Sequence, residues 1–414
     1  MTITAPLDDL ADILAARAVR SVYQPIVDLD SGRVVGVEAL ARGPEGSALE
    51  RPDLLFAAAR RHGLLAELDL ACRAAAIRGA LDAGLPRSIP LFVNIEPEVA
   101  HAPIDDELRR LVTRASDRLH VVVEVTERSL VHSPAELLAV LAAVRELGWG
   151  IALDDVGAEV ESLALMPFVR PDVIKLDLRL VQEQADADIA AIVAAVTAEA
   201  ERTGARVLAE GIETTGHRDA ALSLGATLGQ GWLFARPGPV PASLDGPATF
   251  VPVAAPASPQ TSIVDAAAAG RPLRRSTKRL LLEMSWHLER EALNHGAATV
   301  VLSTFQTAER FTPATQRRYA DLASRTAFVG ALGTGIGRQP APGVRGGSIA
   351  VDDPLVDEWV IAVVAPHFSA VLAARDLHDD GPDDERRFDA VLTYDRDRVL
   401  SAASSLMARI TRRS

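Results

Sequence analysis

The stretch GWGIALDDVG holds the residues with the clearest chemical potential. An apolar run, Ile151 to Leu153, ends in two adjacent carboxylates, Asp154 and Asp155. Acids side by side at the end of a buried strand repel each other unless a cation lies between them. Other polar residues end apolar runs in the same way: Glu38 in RVVGVE, Asn94 in LFVN, Glu124 in VVVE, Lys175 in DVIKL, Glu210 in VLAEG and Gln230 in LGQGW. Oxygen donors without His or Cys suit a hard cation, Mg²⁺ or Mn²⁺ ahead of Ca²⁺. An Asp pair can serve two ions, and two ions about 3.5–4 Å apart are the usual device for in-line attack of water on a phosphodiester. Lys175 beside carboxylates could orient or activate that water, or neutralise developing charge. Arg42, in the same EALAR segment as Glu38, supplies a fork-shaped donor suited to phosphate. Taken singly, each residue has a plainer explanation. A strand-end Glu is most often solvated or salt-bridged, Lys175 an ion-pair partner, Gln230 a turn residue, and the Asp pair a helix N-cap with its neighbour. Their joint recurrence at strand ends is what argues for a site.

The elements that would position them alternate two patterns over residues 1–245. Short β-branched runs are expected to be buried parallel strands: SVYQPIVDL, RVVGVEAL, PLFVNIE, HVVVEVTE, GIALDD, DVIKLDL, RVLAEGIE and ATLGQGWLF. Amphipathic segments at 66–83, 105–117, 134–147, 184–203 and 215–224 separate most of them. This α/β alternation predicts a (β/α)8 barrel of the TIM type, whose strand carboxyl ends converge on one face. DLDSGRVVG is short enough for a hairpin, so the first strand pair is expected to be antiparallel. A Pro/Ala/Ser-rich linker is expected at 246–262. A smaller α/β domain follows at 263–414. It is expected to hold a basic amphipathic helix (271–295), a strand in AATVVLSTFQ, a helix (312–324), a strand in AFVGAL, a Gly/Pro-rich loop (333–347), a strand in EWVIAVVA and a final helix (395–411). DLHDDGPDDERRFD has the charge of a solvated loop.

Bulk properties narrow the function. The 414 residues suffice for two domains, and 48% hydrophobic content supports real cores. No apolar run approaches the ~18–20 residues of a membrane span. The acidic start, MTITAPLDDL, resembles a short helix rather than a signal peptide. The single cysteine, Cys72, forms no intrachain disulfide and fits a reducing cytoplasm. A net charge of −13 argues against a binder of polymeric nucleic acid, but not against a small anion held by local cations or metal.

The first ~240 residues resemble the EAL domain, the cyclic di-GMP phosphodiesterase family. YQPIVDL, EALAR, FVNIE, EVTE, LDDVG, IKLD, AEGIE and GQGWLFARP occur in the family's order. The resemblance implies hydrolysis of cyclic di-GMP to linear pGpG with Mg²⁺ or Mn²⁺, two ions in all. It implies metal ligation by Glu38, Asn94, Glu124, Asp154 and Asp155, and catalytic roles for Lys175, Glu210, Glu124 and Asp154. Gln24, Leu40, Arg42 and Gln230 would contact substrate, Glu127 would brace the loop after the Asp pair, and the barrel would form a homodimer. The loop departs from the family's usual DDFGTGYSSL: here it is DDVGAEVESL. Glu159 stands where a glycine is usual, which removes access to positive φ and adds negative charge near an anionic substrate. Arg60 occupies the place of an acid. The loop over Val156–Ser162 keeps open an alternative, a cyclic di-GMP receptor with weak turnover or none; a purely structural scaffold does not account for the retained site residues.

Residues 263–414 resemble the DICT sensory domain through LSTFQTAERFTPATQRRYADLA, DEWVIAVVAPHFSAVLAARDL and RRFDAVLTYD. That implies an unidentified ligand or partner protein. Phe305, Gln306, Phe311 and Tyr319 either line a pocket for it or belong to the core. GTGIG lacks the spacing of a dinucleotide fingerprint, and His287 and His295 are too isolated to bind metal.

Overall fold

Strands buried on both faces need cover inside and out, and a closed barrel surrounded by helices supplies it. The structure, a computed structural model, describes residues 9–96, 99, 103–126, 134–157, 163–183, 186–242, 244, 262–380 and 382–410. Eight strands close the barrel in chain order: β1 (Arg20–Asp28), β2 (Val34–Arg42), β3 (Leu91–Asn94), β4 (Val121–Thr126), β5 (Gly150–Val156), β6 (Val173–Leu176), β7 (Arg206–Ala209) and β8 (Leu228–Gly229). The expected antiparallel β1–β2 pair is present, and β1 also runs antiparallel to β8. The other adjacent pairs are parallel.

Helices Leu65–Asp82, Asp106–Arg118, Pro134–Glu146, Ala187–Thr203 and Thr215–Ser223 lie where amphipathic periodicity puts them, within a few residues. Local chemistry sets their ends. Asp105 and Asp186 accept from the backbone N–H groups of Leu108 and Ile189, and Gly204, at φ 79°, closes the second of these two helices. The helix Pro52–His62 was not among the expected segments, although Pro52 starts it and Gly63 stops it.

Inside the barrel, Ile26, Phe92, Val122, Ala152, Val173, Leu208 and Leu228 form a separate apolar cluster, one residue from each strand except β2. On β2 the equivalent place belongs to Gly36, where a Cβ would stand 3.2 Å from the Phe92 ring. This plug fills the barrel floor beneath the strand ends.

The second domain is a seven-stranded sheet in the order β12-β11-β10-β13-β14-β15-β9. The strands are β9 (Arg274–Thr277), β10 (Val300–Thr307), β11 (Phe328–Thr334), β12 (Arg345–Gly347), β13 (Glu358–Val364), β14 (Ser369–Asp376) and β15 (Arg387–Thr393). The period of two splits each central strand between two cores. Val300, Leu302, Val360 and Ala362 share a core with Val399 and Ala403 of helix Arg396–Met407. Val301, Ile361 and Val363 face helices Lys278–His295 and Pro313–Ala323. Helix Arg396–Met407 also packs on the barrel's short helix Met166–Val169, and Arg202 of the barrel reaches Asp397 at 3.1 Å.

Three expectations here need correction. The segment 271–295 is not one helix. RRST pairs as an edge strand with β15, and Thr277 then caps the helix by accepting from Leu280 N–H. The Gly/Pro-rich loop 333–347 contains the short strand β12 at its end. β14 and β15 were not expected as strands at all. The linker 246–262 lies outside the described residues except for Ser262, whose Oγ caps helix Ile263–Ala268. Among the described residues no helix is long and apolar enough to cross a membrane.

Candidate active site

Strand geometry places the polar set in one layer. Residues two apart on a strand face the same side. Counting two positions toward the mouth from the plug residues gives Gln24, Glu38, Asn94, Glu124, Asp154, Lys175, Glu210 and Gln230. Each strand therefore contributes one polar side chain to a ring directly above the apolar floor. Leu40 and Arg42 occupy the next two inward positions along β2 and extend that wall.

The ring is tightly bonded. Lys175, 1% exposed, sits among four carboxylates: Nζ lies 2.7 Å from Glu124, 2.8 Å from Glu210, 2.9 Å from Asp154 and 3.7 Å from Glu38. Asn94 Nδ2 donates to Glu124 at 2.7 Å and to Glu38 at 3.2 Å. Gln230 Nε2 donates to Glu38 at 2.6 Å and to Gln24 at 3.3 Å, while Gln24 donates to the Ala235 carbonyl. Gln230 is held between Gly229 and Gly231, where added Cβ atoms would stand 2.5 Å from Leu29 and 2.1 Å from the Ile212 carbonyl oxygen. The GQG sequence thus reflects close packing.

One cation against four acids leaves the layer strongly negative, and the proton affinities respond. Burial, then the Glu38 charge, pushes Glu124 well above the ordinary carboxylate range. Burial raises Glu210 to about 8 against the opposing pull of Lys175. Burial also opposes ionisation of Glu38, but Lys175, Gln230, Glu124 and Asn94 together outweigh it and its carboxyl falls below its usual value. Burial disfavours a charged Lys175, yet Asp154, Glu124, Glu210 and Glu38 together hold its ammonium well above the ordinary lysine value.

Asp155 should face away from Asp154 on a regular strand. The backbone prevents this: Asp155 has φ 59°, in the left-handed region, and the β5–β6 register shifts between Leu153 and Val156. The bulge brings oxygens of Asp154, Asp155 and Glu210 within 4.8 Å of one another. Gly157 follows at φ 100°, where a Cβ would press within 2.7 Å of Leu180 Cδ1.

These residues fit a divalent cation. Glu124 Oε1 and Asp154 Oδ1 are buried and accept no aligned hydrogen bond, although both contact Lys175, and Gln230 Oε1 is buried without a partner. The donors are oxygens of the kind hard cations take.

Arg42 donates to the Ala41 carbonyl, and Arg60 pairs with Glu96 at 2.9 Å just beyond β3. Glu127 and the loop residues Ala158 to Ser162 lie outside the described residues. Asp69 supports the site from outside the strand-end set. Its buried carboxylate accepts from Glu96 N–H at 2.9 Å and pairs with Arg73, tying the chain beyond Asn94 to helix Leu65–Asp82. The Asp69–Arg73 helical spacing in LDLACR was the available signal. In the second domain Phe305, Gln306 and Tyr319 line a cavity, while Phe311 is buried behind Phe305 and Tyr319.

Residues 7–237 match the EAL domain family, and residues 261–377 match the family described as a sensory domain in diguanylate cyclases and two-component systems. The chain is 33% identical over 242 residues to MucR of Pseudomonas aeruginosa, named a bifunctional diguanylate cyclase/cyclic di-GMP phosphodiesterase; the match covers 56% of this chain and 35% of MucR. It is 32% identical over 254 residues to the cyclic di-GMP phosphodiesterase RocR of the same organism, covering 58% of this chain and 64% of RocR. Against the probable cyclic di-GMP phosphodiesterase PdeB of Escherichia coli it is 30% identical over 241 residues, covering 56% of this chain and 45% of PdeB. The chain thus spans between about a third and two thirds of these relatives.

Proposed function

The chain belongs to the EAL domain family, and on that premise we propose that its barrel hydrolyses one phosphodiester of cyclic di-GMP to give linear pGpG, under control of the C-terminal DICT domain. The observation that carries this reading is the polar ring above the apolar floor, with Lys175 inside four carboxylates. In this reading Glu38, Asn94, Glu124 and Asp154 would hold a first divalent cation, Mg²⁺ or Mn²⁺, and Asp155 with Glu210 would help to hold a second. When bound, the cations supply positive charge to the phosphodiester and lower the pKa of water. Lys175 holds the attacking water by its ammonium and stabilises the charge that grows on the phosphoryl oxygens. Glu210, 2.8 Å from the Lys175 ammonium, would hold that water together with Lys175. Gln24, Leu40, Arg42 and Gln230 line the wall against which the substrate would lie. The domains divide at 1–245 and 263–414, the barrel pairs with a second copy, and the chain works in the cytoplasm.

The test is turnover of cyclic di-GMP by the purified full-length chain, with product identified chromatographically in Mg²⁺, in Mn²⁺ and after chelation. Metal-dependent appearance of pGpG is the expected result, and its absence in both metals refutes hydrolysis. One observation favours a second reading. Glu159 adds negative charge to a loop where its family has glycine. A receptor would bind cyclic di-GMP in Ca²⁺ and leave it intact in Mg²⁺ and Mn²⁺.

A further inference from the structure

The C-terminal domain holds a partly open cavity of about 410 Å³ between helices Lys278–His295 and Pro313–Ala323 and the strands β10 and β13. That volume is within the range of small-molecule sites. One part of the wall is aromatic, with Trp286, Phe305, Tyr319, Trp359 and Phe388. Phe305 meets Tyr319 edge to face at 5.2 Å, and Trp359 meets Phe388 likewise at 5.9 Å. Trp286 contacts no other ring among the described residues. Ser285, only 6% exposed, turns a buried hydroxyl without a hydrogen-bond partner to this wall.

The other end is ionic. Lys278 lies 2.5 Å from Asp383, Arg310 3.4 Å and Arg386 3.6 Å, so three cations share one carboxylate. Arg386 also pairs with buried Asp376, and Gln306 Nε2 reaches the same carboxylate at 3.4 Å. Asp383 is 65% exposed and stands on the segment between β14 and β15, so it can leave without opening the core. Of the remaining charged lining residues, Glu289 is occupied by Arg318 at 2.5 Å and Glu309 is exposed. Backbone strain marks the same place. Gln306 has φ 55°, and β10 slips register against β11 between Thr304 and Thr307, which re-aims Phe305 and Gln306.

We propose that this cavity is a ligand site for a small planar aromatic molecule bearing one anionic group. The ring system lies among Trp286, Phe305 and Trp359, its polar edge meets Ser285, and its anion replaces Asp383 between Lys278, Arg310 and Arg386. Arginine and lysine forks pair well with carboxylate or phosphate, and aromatic walls with a planar ring. The site stands apart from the barrel and does not depend on the hydrolytic reading.

The test uses the full-length chain with 1-naphthoate as probe and 1-naphthylmethanol as its neutral counterpart, read by calorimetry and by quenching of tryptophan fluorescence. The anion should bind at least tenfold more tightly than the alcohol. Asp383→Asn removes the internal competitor and should tighten 1-naphthoate several-fold without changing the alcohol. Arg310→Gln, at an exposed position, should weaken the anion alone. Ser285→Phe should fill the cavity and abolish both. Equal affinity for the two probes overturns the proposal, as does failure of 1-naphthoate to bind. Unchanged anion binding in Asp383→Asn or Arg310→Gln overturns it even if Ser285→Phe does not fold.

Discussion

Replacing Lys175 by alanine tests the electrostatics of the barrel most directly. The ammonium is the one cation within ion-pair distance of Glu38, Glu124, Asp154 and Glu210 among the described residues, and it is 1% exposed. Removing one partner of a buried ion pair costs about 3–5 kcal/mol, because the other charge stays buried without compensation. With four acids sharing the lost cation, the metal-free variant should reach the upper part of that range at pH 8. That lowers the urea midpoint of the barrel by about 1.5 M, given a slope of about 3 kcal/mol per molar. Trp149, buried next to β5, reports the transition by fluorescence once Trp232, Trp286 and Trp359 are replaced by phenylalanine.

The penalty should depend on pH with a definite sign. Glu124 and Glu210 are already raised in the folded protein, and Lys175 is a charge that holds them down. Without it they rise further. A carboxyl whose folded pKa exceeds its unfolded value contributes stability that is fully present below the unfolded value and is lost as pH climbs through the folded one. The variant should therefore recover stability between pH 8 and pH 5 as its acids take up protons. Saturating Mg²⁺ at pH 8 should also rescue it, since a divalent ion replaces the missing charge. An equal Lys175→Ala penalty with and without Mg²⁺, at both pH values, refutes the view that these acids form one cation-binding cluster.

Three further outcomes follow from the same geometry. Glu38→Ala removes the acceptor shared by Asn94 and Gln230 and should abolish hydrolysis while weakening Mg²⁺ binding by at least tenfold, measured by turnover and calorimetry. Metal affinity of the unmodified chain should increase as pH rises toward about 8, because the cation must displace a proton from Glu210; proton release measured in two buffers of different ionisation enthalpy checks it. Glu159→Gly should raise turnover several-fold if the loop limits the rate, and unchanged kinetics would place the limitation elsewhere.

The barrel was legible because its signals are local and repeated. β-branched runs such as VVVEV and GIALD have no competing helical reading at their length, and the hairpin in DLDSGRVVG fixes the reversed first strand. The second domain was less legible at its edges. RRST runs directly into a long amphipathic helix and inherits its pattern, so only pairing with β15 identifies it as a strand. β14, SAVLAARD, is rich in alanine, and its buried faces on both sides leave no alternation to detect.

The site was legible to the same degree as the alternation that builds it. Phe92 and Asn94, Val122 and Glu124, Ala152 and Asp154, Val173 and Lys175, Leu208 and Glu210, and Leu228 and Gln230 repeat one two-residue step from floor to ring. The step fails to predict Asp155. An odd-numbered neighbour of Asp154 belongs on the outer face, and nothing in the sequence IALDDVG announces that residue 155 adopts φ 59°. Aspartate tolerates that conformation better than most residues, and Gly157 supplies the next positive φ, so the bulge has local support. Its cause is nevertheless not local. β6 ends at Leu176, which pairs with Val156, so between that pair and Leu153–Ile174 the β5 strand carries two aspartates against one partner, Lys175. The extra residue is what turns a strand-end aspartate and its neighbour into a pair facing Glu210, and a chain of the same composition without that register shift would present half of the pair to the surrounding helices.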